Sequence, residues 1–73
     1  MNNESREWSE TTRLEARYAN CFRAGRNEFE MIIDFAQCSS DDLAIVPHTR
    51  IVLHPEYCKR LIAVLRAAIE EES

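Results

Sequence analysis

The sequence predicts an α+β fold: an antiparallel β-β-β sheet, a hairpin plus a third strand, with one C-terminal amphipathic helix packed on one face. Three observations predict it. Residues 13–23 and 28–36 each alternate between the two faces of a strand, with Gly25 between them, which is the pattern of a hairpin. Thr49-Arg50-Ile51-Val52-Leu53 is a short run rich in β-branched residues, suited to a third strand. From Tyr57 to Ile69 the apolar residues return at i, i+3, i+4 and i+7, the stripe of a helix built to lie on something.

Size and charge bound the rest. Seventy-three residues make one small core at most, near the lower limit for a chain without staples. Residues 12–73 read as that single domain. Residues 1–11 read as a flexible polar tail in which Trp8 is the one large apolar side chain, as termini often are. A net charge of −4 creates no overall field toward nucleic acid or anionic lipid. No apolar run approaches the length of a membrane span, and the first ten residues lack the core of a signal peptide. Three cysteines, an odd number without C-x-x-C, argue against a disulfide framework. They point to a reduced, cytoplasmic protein whose thiols pack as small hydrophobes.

Taken in order, Leu14, Ala16, Tyr18, Asn20 and Phe22 share one strand face, and Phe29, Met31, Ile33 and Phe35 share another. A two-residue turn at Gly25-Arg26 suits the type II′ geometry, in which glycine takes the positive φ. That turn sets Phe22 against Phe29, Asn20 against Met31, Tyr18 against Ile33 and Ala16 against Phe35. On the other face it sets Arg23 against Glu28 and Arg17 against Asp34, opposite charges across the strands. Residues 38–42 are a loop by composition. Leu43-Ala44-Ile45-Val46 reads as an edge strand or a bend before Pro47. Pro55 is well placed at the first helical position, Glu56 lies in the positive first turn, and His54 is left as the N-cap. The acidic end, Glu70-Glu71-Glu72, opposes the helix dipole.

With these elements placed, Tyr18-Ala19-Asn20, Glu28-Phe29, Asp34-Phe35 and Pro55-Glu56 with Lys59-Arg60-Leu61 resemble a small prokaryotic family of domains of unknown function. Its pattern is Y-A-N, E-F, D-F and a closing P-E-x-x-K-R-L helix. The resemblance spans roughly residues 16–70. His54 departs from the small hydroxyl or acid residue common before the proline, and residues 38–48 do not align. The resemblance implies a fold and brings no catalytic residue.

No constellation builds a reaction centre. Cys21, Cys38, Cys58, His48 and His54 lack the close ligand pairs of a zinc site, so no metal and no cofactor is expected. Cys58 with His54 is the one thiol–base pair at hydrogen-bonding spacing, but Cys58 lies in the apolar stripe and reads as structural. Glu30 and Asp34 read as ion-pair partners of the arginines rather than as an acid and a base. The protein is therefore not expected to be an enzyme. Arg13, Arg17, Arg23 and Arg26 are the candidate contacts of a β-ribbon with nucleic acid, weakened by the acids among them. The main expectation is a non-catalytic protein-interaction or oligomerisation module, a dimer or higher homo-oligomer that also meets another protein. One helix covers one sheet face, which leaves Ala19, Cys21, Ile32 and Ala36 as the interface on the other. The topology also resembles a reduced SecB-type export chaperone, which presents an oligomeric sheet to unfolded chains; that alternative rests on fold alone.

Overall fold

A computed structural model describes residues 7–9 and 13–71; most of the expected tail, residues 1–11, lies outside them. Strands β1 (Cys21–Arg26), β2 (Met31–Ala36) and β3 (Thr49–Leu53) are followed by the helix α1 (Pro55–Glu71). The three strands form one antiparallel sheet in the order β1-β2-β3. The α+β architecture, the third strand and the helix start at Pro55 follow the sequence pattern. Of the two readings of Leu43–Val46 the bend holds: Leu43 and Ala44 form a bend, and no strand forms before Pro47.

The register of the hairpin differs from the expected one. Phe22 faces Phe35, Arg23 faces Asp34, Ala24 faces Ile33, Gly25 faces Ile32 and Arg26 faces Met31. Gly25 is a strand residue with no positive φ. The turn lies instead at Asn27–Glu30. The Asn27 side-chain oxygen accepts the amides of Phe29 and Glu30 at 2.9 and 2.8 Å, and the Asn27 amide donates to the Glu30 carbonyl at 3.0 Å. An Asx turn of this kind replaces a backbone turn with a side chain. The shift is an even number of residues, so both faces keep the side chains that alternation assigned to them. What changes is which of them meet. The pairs Arg17–Asp34 and Arg23–Glu28 are replaced by Arg23 opposite Asp34, and Phe22 stacks edge-on against Phe35 with ring centres 5.7 Å apart.

Strand β1 begins later than the alternation does. Beyond Ala36 the chain turns away into Gln37-Cys38-Ser39, so residues 13–19 have no neighbouring strand to pair with. The last rung is made by Asn20. Its backbone amide donates to the Ala36 carbonyl at 3.0 Å. Its side chain accepts the Cys38 amide at 2.9 Å and donates to the Cys38 carbonyl at 3.0 Å. Cys21 and Cys38 form a disulfide across the same join, which corrects the expectation of three reduced thiols. In the expected register these two cysteines lay far apart; the true register brings them together. Cys58 remains a free, half-buried thiol.

Helix α1 starts where the sequence places it. His54 caps it through Nδ1, which accepts the Glu56 amide at 3.1 Å, while its carbonyl accepts the amides of Tyr57 and Cys58. The helix is not, however, covered. None of its residues is buried, and Ile62, Leu65 and Ile69 are 47%, 52% and 69% exposed. The expected seat of the stripe on a sheet face is thus not closed. Among the described residues the buried ones are Ala36 and Asp34, at 3% and 4% exposure, both on the central strand.

The turn chemistry separates the two registers by mutation. Gly25→Ala is expected to raise stability by about 0.4–1 kcal/mol through the unfolded state, because a Cβ there meets nothing within 4 Å and φ is negative. Asn27→Ala is expected to lower stability. Urea unfolding of both variants checks this; a Gly25→Ala variant markedly less stable than the parent would restore the glycine turn.

Candidate functional site

A carboxylate in the middle of a sheet costs free energy unless it is answered by opposite charge and hydrogen bonds. Asp34 is answered from both sides. Arg50 on β3 lies directly across from it, as Arg23 does on β1. Arg50 donates from Nε to Oδ1 at 2.7 Å and from Nη2 to Oδ2 at 2.9 Å, a two-pronged pair. Arg23 donates from Nε to Oδ2 at 2.8 Å. Charge-assisted bonds of this geometry are among the strong ones. The hydrogen bonds from Arg50 and then Arg23 hold the Asp34 carboxyl well below the usual carboxylate range, although its burial works in the other direction. The same contact pushes the Arg50 guanidinium up.

The clamp occupies the centre of the face expected to form an interface. Of the four residues assigned to it, Ala36 is already buried within the chain and Cys21 is in the disulfide. Ala19 lies ahead of β1, and Ile32 sits between Gly25 and Val52 rather than beside Ala19. Residues of the 39–47 segment approach the same face: Ile45 and Pro47 close a cavity of about 140 Å³ with Cys21, Phe22, Arg23, Asp34 and Ala36. That is below the few hundred Å³ of ordinary ligand sites.

The arginines proposed for nucleic acid do not form one ribbon. Arg13 and Arg17 precede β1, and Arg17 pairs with Glu15 at 3.3 Å. Arg23 is held by Asp34, and Arg26 donates from Nε to the Asn27 carbonyl at 3.4 Å. Arg50, which the sequence reading did not single out, is the strongest partner in the site. Its signal was present in the third strand, once β3 is paired to β2. His48 joins the segment before β1 to β3, with Nε2–H donating to the Tyr18 carbonyl at 3.0 Å and Nδ1 bonded to Thr49 Oγ1 at 2.7 Å. His54 has its Nδ1 engaged by the Glu56 amide. Among the described residues no group of three or more His, Cys, Asp or Glu side chains is placed to hold a metal ion. Nor is any described helix long and apolar enough to cross a membrane.

Fold and site define a small α+β module: a clamped three-stranded antiparallel sheet that carries an uncovered amphipathic helix. The chain belongs to the family described as "Protein of unknown function (DUF3467)", whose model matches residues 2–72. Comparison with curated proteins and with solved structures finds no match. The motif residues behind the resemblance have visible duties. Tyr18 and Asn20 moor the start of the sheet, Phe29 lies in the Asx turn, Asp34 is clamped and Phe35 stacks on Phe22. Pro55 opens α1, and Glu56 pairs with Lys59 at 3.2 Å.

Two outcomes test the site. Because the Asp34 carboxyl is depressed in the folded state, its contribution is complete above the ordinary value of 3.8 and is lost as pH falls below it. Asp34→Asn is therefore expected to lower the melting temperature at neutral pH and to flatten its fall on acidification; melting curves from about pH 7 to 2 record both effects. Asn20→Ala removes two hydrogen bonds at the Cys38 join and is expected to cost about 1–2 kcal/mol. The disulfide closes 17 residues, worth about 3 kcal/mol in the chain-entropy account. Denaturation of both forms with and without dithiothreitol is expected to show the Asn20→Ala effect growing when the bond is open.

Proposed function

We propose that this chain is a non-catalytic self-association and protein-binding module, working as a homo-oligomer. The observation that carries the reading is the largely exposed stripe of α1: no residue of a 17-residue helix is buried, and only Cys58 and Leu61 of the stripe are half-covered. An isolated helix of that length is marginal in water, and most helical stability in proteins comes from covering such a stripe. The described residues bury a single apolar side chain, that of Ala36, far less than a domain of this size needs. Contiguous exposed apolar surface of this kind marks an interaction site.

The family motifs support the non-catalytic half of the reading, since their residues are engaged in register, turn and helix start. So does the chemistry of the titratable groups: among the described residues the strongly shifted carboxylate is that of Asp34, taken up by two arginines at the wall of a small cavity. The helix stripe is the larger surface; the strip around Ile32 is interrupted by the Asp34 clamp. The expected cytoplasmic location stays part of the proposal only with the Cys21–Cys38 disulfide reduced, because that compartment keeps thiols reduced. Asn20 would hold the Cys38 join there with the disulfide open.

Light scattering with far-UV circular dichroism over a dilution series tests the proposal. The expected mass is a multiple of 8.5 kDa, with helicity falling as the assembly dissociates, and Leu65→Asp is expected to give monomer. A parent chain that stays monomeric and fully helical at high concentration would sink it.

A further inference from the structure

The Cys21–Cys38 bond closes a join that is already held without it. Cys21 opens β1 and Cys38 lies just past the end of β2, with their Cα atoms 6.5 Å apart, within the span of a disulfide. Asn20 fixes that span by hydrogen bonds. Its backbone amide reaches the Ala36 carbonyl, and its side chain accepts the Cys38 amide and donates to the Cys38 carbonyl. The segment beyond Cys38 has anchors of its own. The Ser39 amide donates to the Asp42 carboxylate at 2.8 Å, and the His48 amide donates to the Phe35 carbonyl at 2.9 Å. Opening the bond therefore removes no strand pairing and no turn. Both cysteines are half-buried, so the bond is not sealed inside a core.

We propose that Cys21 and Cys38 form a reversible redox site, a dithiol that closes and opens by exchange with low-molecular-weight disulfides and thiols, and that Asn20 is its positioning residue. In closing against glutathione disulfide, the thiolate of one cysteine attacks a sulfur of that molecule, its S–S bond breaks, and one glutathione thiolate leaves. The thiolate of the other cysteine then attacks the protein sulfur of the mixed disulfide and expels the second glutathione. Two protein thiols are oxidised by two electrons, one glutathione disulfide is reduced to two thiols, and the protons given up by the cysteines end on the glutathiones. Opening is the same sequence reversed. Asn20 acts on the second step: by keeping Cys38 beside Cys21 after reduction, it makes closure an intramolecular reaction between groups already in place. The remaining thiol, Cys58, lies on α1, outside the strand and loop that carry the pair.

The full chain, equilibrated in buffers from fully reduced to fully oxidised glutathione, tests this. Free thiols are blocked after an acid quench and counted by mass, with circular dichroism recorded on the same samples. The folded parent is expected to pass in both directions between its three thiols and the single free Cys58, with the bond mapped to Cys21 and Cys38 and little mixed disulfide. Asn20→Ala is expected to need a glutathione ratio about tenfold more oxidising for half-closure, the factor equivalent to losing its hydrogen bonds, and to accumulate the mixed disulfide. Adding Gly25→Ala to Asn20→Ala raises overall stability without restoring the join, so the shifted midpoint is expected to persist. A bond that stays closed in reduced glutathione until denaturant is added overturns the reversible site. So does a parent that stops at the mixed disulfide or pairs through Cys58. An Asn20→Ala midpoint equal to the parent's, or one that Gly25→Ala returns to it, overturns the positioning role.

Discussion

The sheet depends on one carboxylate. Asp34 sits in the central strand and is reached by an arginine from each neighbouring strand. A lone charge at that position would oppose folding; answered twice, it ties β1, β2 and β3 into one unit. The clamp also specifies register. Sliding β1 by two residues would keep the alternation of faces and set Cys21 or Gly25 across from the carboxylate, neither of which can answer its charge. In a sheet with so few buried apolar residues, hydrophobic pattern alone discriminates weakly between such slips, and the charge supplies the missing specificity.

This explains how far the fold was legible in the sequence. Strand β3 and the start of α1 were readable because their signals are local: a β-branched run, then a proline at the first helical position. The hairpin's existence and its two faces were readable from alternation. Its register was not, because an even shift leaves every face unchanged and Gly25 offered a plausible but wrong turn. Asn27 was the overlooked signal, a side chain able to accept two amides of the turn. The misreadings at the site followed from that one. With β1 and β2 misaligned, Cys21 and Cys38 were set far apart, Asp34 was given to Arg17, and Arg50 had no visible partner. The covering of the helix was unreadable for a different reason: a stripe announces that something must cover it, and does not say whether that is the same chain.

The distribution of interactions is uneven. Polar devices hold the sheet together: an ion-pair clamp, an Asx turn, a side-chain amide bridge and a disulfide. Apolar surface, the usual source of folding free energy, remains open on α1 and elsewhere in the chain, at Phe22, Phe29, Leu43, Ile51 and Val52 among others. The sheet therefore has strong local definition and little hydrophobic depth, and the helix adds no buried residue. A chain divided this way uses its polar contacts within the molecule and leaves the apolar stripe of α1 largely exposed.

The amide of Asn20 carries a consequence of its own. It imitates a peptide group, offering Cys38 one donor and one acceptor as a neighbouring strand would. Aspartate has almost the same shape and would still accept the Cys38 amide. It has no hydrogen to give to the Cys38 carbonyl, and its negative oxygen would face that carbonyl oxygen directly. The usual measure of similarity between amino acids fails at this position: the near-isostere turns an attraction into a repulsion, whereas a smaller neutral residue merely leaves a gap. Spontaneous loss of the amide nitrogen, an ordinary fate of asparagine in ageing proteins, would thus loosen the mooring of the first strand.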